Sequence, residues 1–189
     1  MMKPKRLITP LTNDKINTLE CGDMVLISGT LYTARDAAHI RMKESLIKGE
    51  KMPIELENAI IYYAGPTPPR PGNISGSFGP TTSSRMDKMT VPLLEAGLKG
   101  MIGKGIRSKE VIQGIKDNNA VYFAALGGAG ALISNAIKQI EYVAYEDLGT
   151  EAIRKIIVED FPVVVAIDSL GKCIYDLARE QYQLKSIKI

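Results

Sequence analysis

The sequence has no tryptophan, three phenylalanines, two cysteines and a single histidine in 189 residues. Cys21 and Cys173 stand too far apart in the chain for a Cys-x-x-Cys redox or zinc pair, and two cysteines make no disulfide framework. His39 alone cannot complete a metal site with them, so any metal chemistry must be held elsewhere. Long apolar runs are missing too. The longest, such as Val163-Val164-Val165-Ala166-Ile167, fall far short of the roughly 20 residues a membrane helix needs. The Lys-rich start MMKPKRLITP lacks the apolar stretch of a signal peptide, which predicts a cytoplasmic protein. Charge of one sign is scarce: 24 basic against 21 acidic residues leave +3, and no basic run interleaves with aromatics. That argues against nucleic acid and for a small anionic ligand.

What remains is ordinary globular material, 45% hydrophobic and 24% charged, enough for one domain over 1–189. A strand is predicted over Met24–Ile27, then a turn, then a helix from about Arg35 that places Ala38, Met42 and Leu46 on one face and stops at Gly49. NAIIYYAG reads as a buried strand. Residues 65–80, with five prolines, read as a long flexible loop, the kind that often carries function. Met86, Met89 and Leu93 then mark a helix interrupted at Pro92, followed by a short strand at Met101-Ile102-Gly103 and a helix capped by Ser108. Further on, AVYFAAL reads as strand, GGAGALISNAIKQI as turn and helix, EYVAYE as strand, LGTEAIRKIIV as helix and FPVVVAIDSLG as strand. This alternation predicts an α/β domain whose strands are mostly buried on both faces.

Two phosphate motifs fall short. GLKGMIGKG has Leu98 where a P-loop needs its first glycine and Gly105 where it needs Ser or Thr. LGGAGALI places Ile133 where a dinucleotide fingerprint needs its third glycine, so a tight turn explains it better. Three other junctions carry charge or hydroxyls. Arg35 starts a helix, where a cation opposes the helix dipole unless an anion such as Asp36 compensates, and Arg35, His39 and Lys43 form an i, i+4, i+8 cationic stripe. A solvated face would account for such a stripe on its own. SFGPTTSSRMD supplies four hydroxyls in a row where a helix cap on Thr82, Ser83 or Ser84 needs one, followed by Arg85. Lys104 lies between two glycines. Strand-to-helix junctions of this kind gather at one sheet edge, where arginines, a lysine and helix N–H groups would suit a dicarboxylate.

SGTLYTARDAAHIRM, YAGPTPP, GPTTSSRMD, MIGKG, ALGGAGALISNAIK and AYEDLGTEAI, in that order, together resemble the C-terminal domain or separate β subunit of class I fumarate hydratases and related tartrate dehydratases. The resemblance implies a single swivelling β/β/α domain. It closes over an oxygen-sensitive [4Fe-4S] cluster held by three cysteines of an α subunit, with no metal in this chain. It implies Arg35, Arg85 and Lys104 as dicarboxylate-binding residues, Thr81 and Thr82 as catalytic hydroxyls with Thr81 moving the proton, and Asp36 and His39 as support. The activity it implies is hydration of fumarate to malate, with tartrate dehydration as the alternative and a non-catalytic anion-binding module as a third reading. The expected partner is the α subunit, in a homodimer of heterodimers, with neither nucleic acid nor membrane involved.

Overall fold

The computed structural model describes residues 3–183 other than 70, 71, 73, 75 and 126–129. Strands β1 (Lys5–Ile8), β2 (Met24–Thr33), β3 (Ile60–Tyr62), β4 (Gly100–Gly103) and β5 (Val121–Ala125) run parallel in that order. Two further strands, β6 (Ile137–Ala144) and β7 (Ile153–Ile167), are antiparallel, and β7 pairs with β2, β5 and β6. Because β7 hydrogen-bonds to both β2 and β5, the parallel sheet closes against the antiparallel one.

Alternation of side chains across the parallel strands builds two cores. Ile60, Tyr62, Ile102, Val121 and Phe123 point between the sheets, where they meet Ile156, Phe161 and Val163 of β7. Their neighbours Ile61, Tyr63, Met101 and Tyr122 point the other way, toward α2 (Asp36–Lys48), α3 (Asp87–Glu95) and α4 (Lys109–Asp117), and pack with Ala38, Met42, Leu93 and Val111. The layers are therefore sheet, sheet and helices, the expected β/β/α order. Helices α1 (Asn13–Ile16), α5 (Gly130–Ala136) and α6 (Ile174–Gln183) complete the description. No helix among the described residues is long and apolar enough to cross a membrane.

Local sequence explains the helices. Ala38 and Met42 of α2 are fully buried, and Gly49 at φ 65° ends the helix with the paired bonds Gly49 N–H to Leu46 O and Glu50 N–H to Ser45 O. Ser108 Oγ accepts the Val111 N–H at 3.3 Å and starts α4. Pro92 sits inside α3 and cannot donate to the Lys88 carbonyl one turn earlier. The helix continues through the proline to Glu95, and Lys43 of α2 donates its ammonium to the Lys88 carbonyl at 3.2 Å.

Several expectations are corrected. β2 does not end at Ile27: Gly29, at φ 113°, is part of a bulge, and pairing resumes to Thr33. The helix expected through Ile140 stops at Ala136, and the chain from Ile137 is strand β6. LGTEAIRKIIV is not helical. Gly149, at φ 58° and ψ −114°, interrupts the 3₁₀ segment Glu146–Glu151, and Ile153 opens the 15-residue strand β7. The run Ile153-Arg154-Lys155-Ile156-Ile157-Val158 is rich in β-branched residues and pairs along β2 and β6, which no local period reveals. The central strands β3, β4 and β5 are buried as expected, while most of β6 is exposed. The glycine turn expected after β5 and part of the 65–80 loop lie outside the described residues.

Candidate active site

The C-terminal ends of β2, β3 and β4 lie side by side, and the three junctions singled out by sequence leave from them. Ala34 N–H bonds to Tyr62 O at 3.2 Å and Tyr63 N–H to Ile102 O at 2.8 Å. Thr81–Ser83 then adds itself to this edge as a short extended segment. Thr81 N–H bonds to Tyr63 O at 2.6 Å, Lys104 N–H to Thr81 O at 3.3 Å, and Ser83 N–H to Lys104 O at 2.9 Å. Thr82 and Lys104 form a parallel bridge. Thr81, Thr82 and Lys104 are thus placed together by backbone, independent of their side chains. Gly103 is required for this: a Cβ there would lie 2.0 Å from Ser83 Oγ.

The four hydroxyls divide. Ser83 is fully buried and shares a hydrogen bond with Tyr122 OH at 2.9 Å. The expected helix cap is absent: Thr82 precedes the 3₁₀ turn Ser83–Met86 without a side-chain cap bond, and α3 begins only at Asp87. Asp87 is anchored from the other side. Its Oδ1 accepts Arg107 Nε–H at 2.7 Å and its Oδ2 accepts Ser108 N–H at 2.7 Å. The Arg107 side chain has no solvent exposure, donates to Thr90 Oγ1 at 2.8 Å and lies over the rings of Tyr63 and Tyr122. Among the described residues Thr81, Thr82 and the Lys104 ammonium have no side-chain partner.

At the β2–α2 junction the sequence reading is partly corrected. Arg35 is the N-cap residue of α2, with extended backbone, and its carbonyl accepts both His39 N–H and His39 Nδ1–H at 2.9 Å. His39 is not on a cationic surface stripe: it is fully buried, edge-on to Tyr63 at 5.0 Å. Burial pushes its imidazole down to about 4, so it is neutral and Nε2 carries the lone pair. Asp36 does not offset Arg35. It accepts Arg85 Nε–H at 2.6 Å and joins the two predicted arginine junctions. The anion beside Arg35 is Glu151, whose Oε1 lies 3.4 Å from Arg35 Nη2 and whose Oε2 accepts Ala37 N–H at 2.9 Å. Glu151 and Arg107 were missed by sequence reasoning; the first stands inside AYEDLGTEAI, which was its only signal.

Unpartnered polarity concentrates here. Thr33 Oγ1, Arg35 Nε, Asp36 Oδ2 and His39 Nε2 are the buried side-chain nitrogen and oxygen atoms without a hydrogen bond among the described residues. Leaving such a group unpaired costs about 1–3 kcal/mol. All four fall within seven consecutive residues at the β2–α2 junction. A concavity of about 510 Å³ lined by Pro66, Ile140, Tyr142, Thr150 and Arg154, among others, contains none of the candidate residues. The candidates form an open edge and not that cavity.

The chain matches the Fumarase C-terminus family over residues 3–178. It is 41% identical to fumarate hydratase 2 of Leishmania major over 157 residues, 82% of this chain and 28% of that one. It is 41% identical to the aerobic class I fumarate hydratase of Escherichia coli K12 over 147 residues, 77% of this chain and 27% of that one. Against a Methanocaldococcus jannaschii protein named for the beta subunit of L(+)-tartrate dehydratase it is 38% identical over 172 residues, 88% of each. The chain therefore spans just over a quarter of those fumarate hydratases and nearly all of the beta subunit. On fold, motif order and these matches, the chain belongs to the Fumarase C-terminus family, whose members here are named as fumarate hydratases and a tartrate dehydratase subunit.

Proposed function

We propose that this chain is the β subunit of a two-chain hydro-lyase that adds water reversibly to fumarate to give malate. Arg35, Arg85 and Lys104 grip the two carboxylates, and the Thr81 hydroxyl, with Thr82 beside it, moves the proton at the carbon next to the departing hydroxyl. The observation that carries this reading is the backbone lattice linking Tyr63, Thr81, Ser83 and Lys104, with Asp36 tying Arg85 to the same edge. A threonine hydroxyl is a weak base, and a neighbouring cation lowers the cost of its deprotonated form. Lys104, bridged to Thr82 and without a partner among the described residues, is the charge available for that task. Asp36 orients Arg85, and neutral His39 fixes the Arg35 carbonyl.

The described residues hold no group of three His, Cys, Asp or Glu suited to a metal, and burial pushes the Cys21 thiol up to about 11, away from the thiolate a cluster ligand needs. The described side chains do not fit an iron-sulfur cluster. The proposal therefore assigns the [4Fe-4S] cluster to an α subunit, where it would supply a Lewis acid, and leaves binding, orientation and proton transfer to this chain. A subunit partner is supported by the relative named as a beta subunit.

One observation favours a second reading, tartrate dehydration: the match to the tartrate dehydratase beta subunit runs along 88% of both chains. The two hydroxy acids, malate and tartrate, differ by one hydroxyl. Anaerobic co-expression with the α subunit, cluster reconstitution and assay of fumarate, malate and tartrate separates the readings. A fully loaded complex that turns over none of them refutes both and returns the chain to an anion-binding module.

A further inference from the structure

We infer that Glu151, which sequence reasoning left out of the site, is the positioning residue for Arg35, and that the 146–151 turn is built to present it; this rests on the proposed role of Arg35 in gripping substrate. The two oxygens of Glu151 do different work. Oε2 takes the Ala37 N–H at 2.9 Å and so occupies a donor at the start of α2, while Oε1 stands 3.4 Å from Arg35 Nη2. Both side chains are 23% exposed, shielded enough for the pair to hold a direction and open enough for a ligand to reach it.

The turn has no buried side chain of its own to hold it in place. Leu148 packs partly buried against the helix-side core, and polar clamps hold the rest. Arg154, 4% exposed, donates Nη2 to Gly149 O at 2.7 Å and Nη1 to Thr150 O at 3.2 Å and Ala152 O at 3.3 Å, with its guanidinium 4.5 Å over the Tyr142 ring. Among the described residues Arg154 forms no carboxylate ion pair. Three of its bonds go to carbonyls on both sides of Glu151, and Nη2 also donates to the Tyr142 hydroxyl at 3.0 Å. Arg41 of α2 grips Asp147 with two bonds, at 2.9 and 2.5 Å. The stem of Arg35 is confined as well: a Cβ on Gly65 would lie 3.2 Å from Arg35 Cδ and 2.5 Å from Thr150 O. Arg35 therefore sits between Gly65 and the clamped turn, and Glu151 sets where its charged end lies.

The charge of Glu151 gives the test a sign. A carboxylate that only diluted the positive field would weaken binding of a dianion, so removing it would lower KM. A positioning carboxylate does the reverse.

In the assembled enzyme, Glu151→Gln keeps an acceptor for the Ala37 N–H and removes the charge beside Arg35. The expected result is a KM for the dicarboxylate raised about tenfold, with kcat changed less than about threefold and an unaltered melting temperature. Glu151→Asp recovers part of the KM. In an Arg35→Ala background Glu151→Gln adds nothing, because the two act through one contact. A lowered or unchanged KM, or losses that add to those of Arg35→Ala, overturns the inference. A second readout needs no turnover: in the full chain alone, hydrogen exchange of the Ala37 amide should accelerate in Glu151→Ala and stay protected in Glu151→Gln, and protection retained in Glu151→Ala overturns the contact. A wild-type complex that turns over no dicarboxylate removes the reading beneath the inference, whereas an active wild type with an unaffected Glu151→Gln removes the inference alone.

Discussion

Replacing Asp87 by alanine would strand a buried cation, Arg107. The Arg107 side chain has no solvent exposure, and the Asp87 carboxylate is the anion within 2.7 Å of it. In wild type the charge is offset by Asp87 and by the faces of Tyr63 and Tyr122 at 5.4 and 5.1 Å. Removing one partner of a buried pair costs about 3–5 kcal/mol, because the remaining charge cannot return to water. Here the Ser108 N–H, which donates to Asp87 Oδ2 at 2.7 Å, loses its acceptor too. At roughly 2–4 °C per kcal/mol for a chain of this size, the melting temperature should fall by about 6–20 °C. Thermal and urea unfolding followed by circular dichroism measures it. Removing both charges should be milder: in Asp87→Ala/Arg107→Met the methionine fills the slot between the tyrosines, and much of the loss should return. A single variant that costs under about 1 kcal/mol, or a double variant that is worse than the single, refutes the argument.

Arg35→Ala or Arg85→Ala should raise KM for the dicarboxylate and cut kcat/KM by about 2–4 kcal/mol in transition-state terms; unchanged kinetics would make that arginine a surface residue. Thr81→Val should leave folding and partner binding intact, since Thr81 is held by its backbone, while removing most turnover. Surviving turnover would place the base elsewhere. Stability should fall with acid through His39. Its folded value is depressed from 6.5 to about 4, so its contribution is fully present above pH 6.5 and is lost as the unfolded state takes up a proton between pH 6.5 and 4. The difference between wild type and His39→Gln in urea titrations should change by about 1.4 kcal/mol per pH unit over that window, and a flat difference would contradict the burial.

Sequence alone determined the features whose causes are a few residues apart. The face of α2 formed by Ala38 and Met42, its stop at Gly49 and the Ser108 cap of α4 depend on local spacing and backbone freedom, and each lies where that spacing put it. The parallel strands through Ile60 and Val121 were legible because burial on both faces leaves a short continuous apolar run. The motifs named Thr81, Thr82, Lys104, Arg35 and Arg85, and structure gathers those junctions at one sheet edge.

Tertiary structure decided what depends on distant partners. Strand β7 is a strand because β2, more than a hundred residues earlier, offers it a hydrogen-bonding edge; the isoleucine spacing after Ile153 fits a helix almost as well. His39 reads as the middle of a cationic stripe until Tyr63 covers it, and burial then removes its charge. Asp36 looks like the counter-ion of its neighbour Arg35 but reaches across to Arg85, leaving Arg35 to Glu151, 116 positions away in sequence. Ion pairs form between side chains close in space, and no local pattern encodes which carboxylate the fold will bring to which arginine.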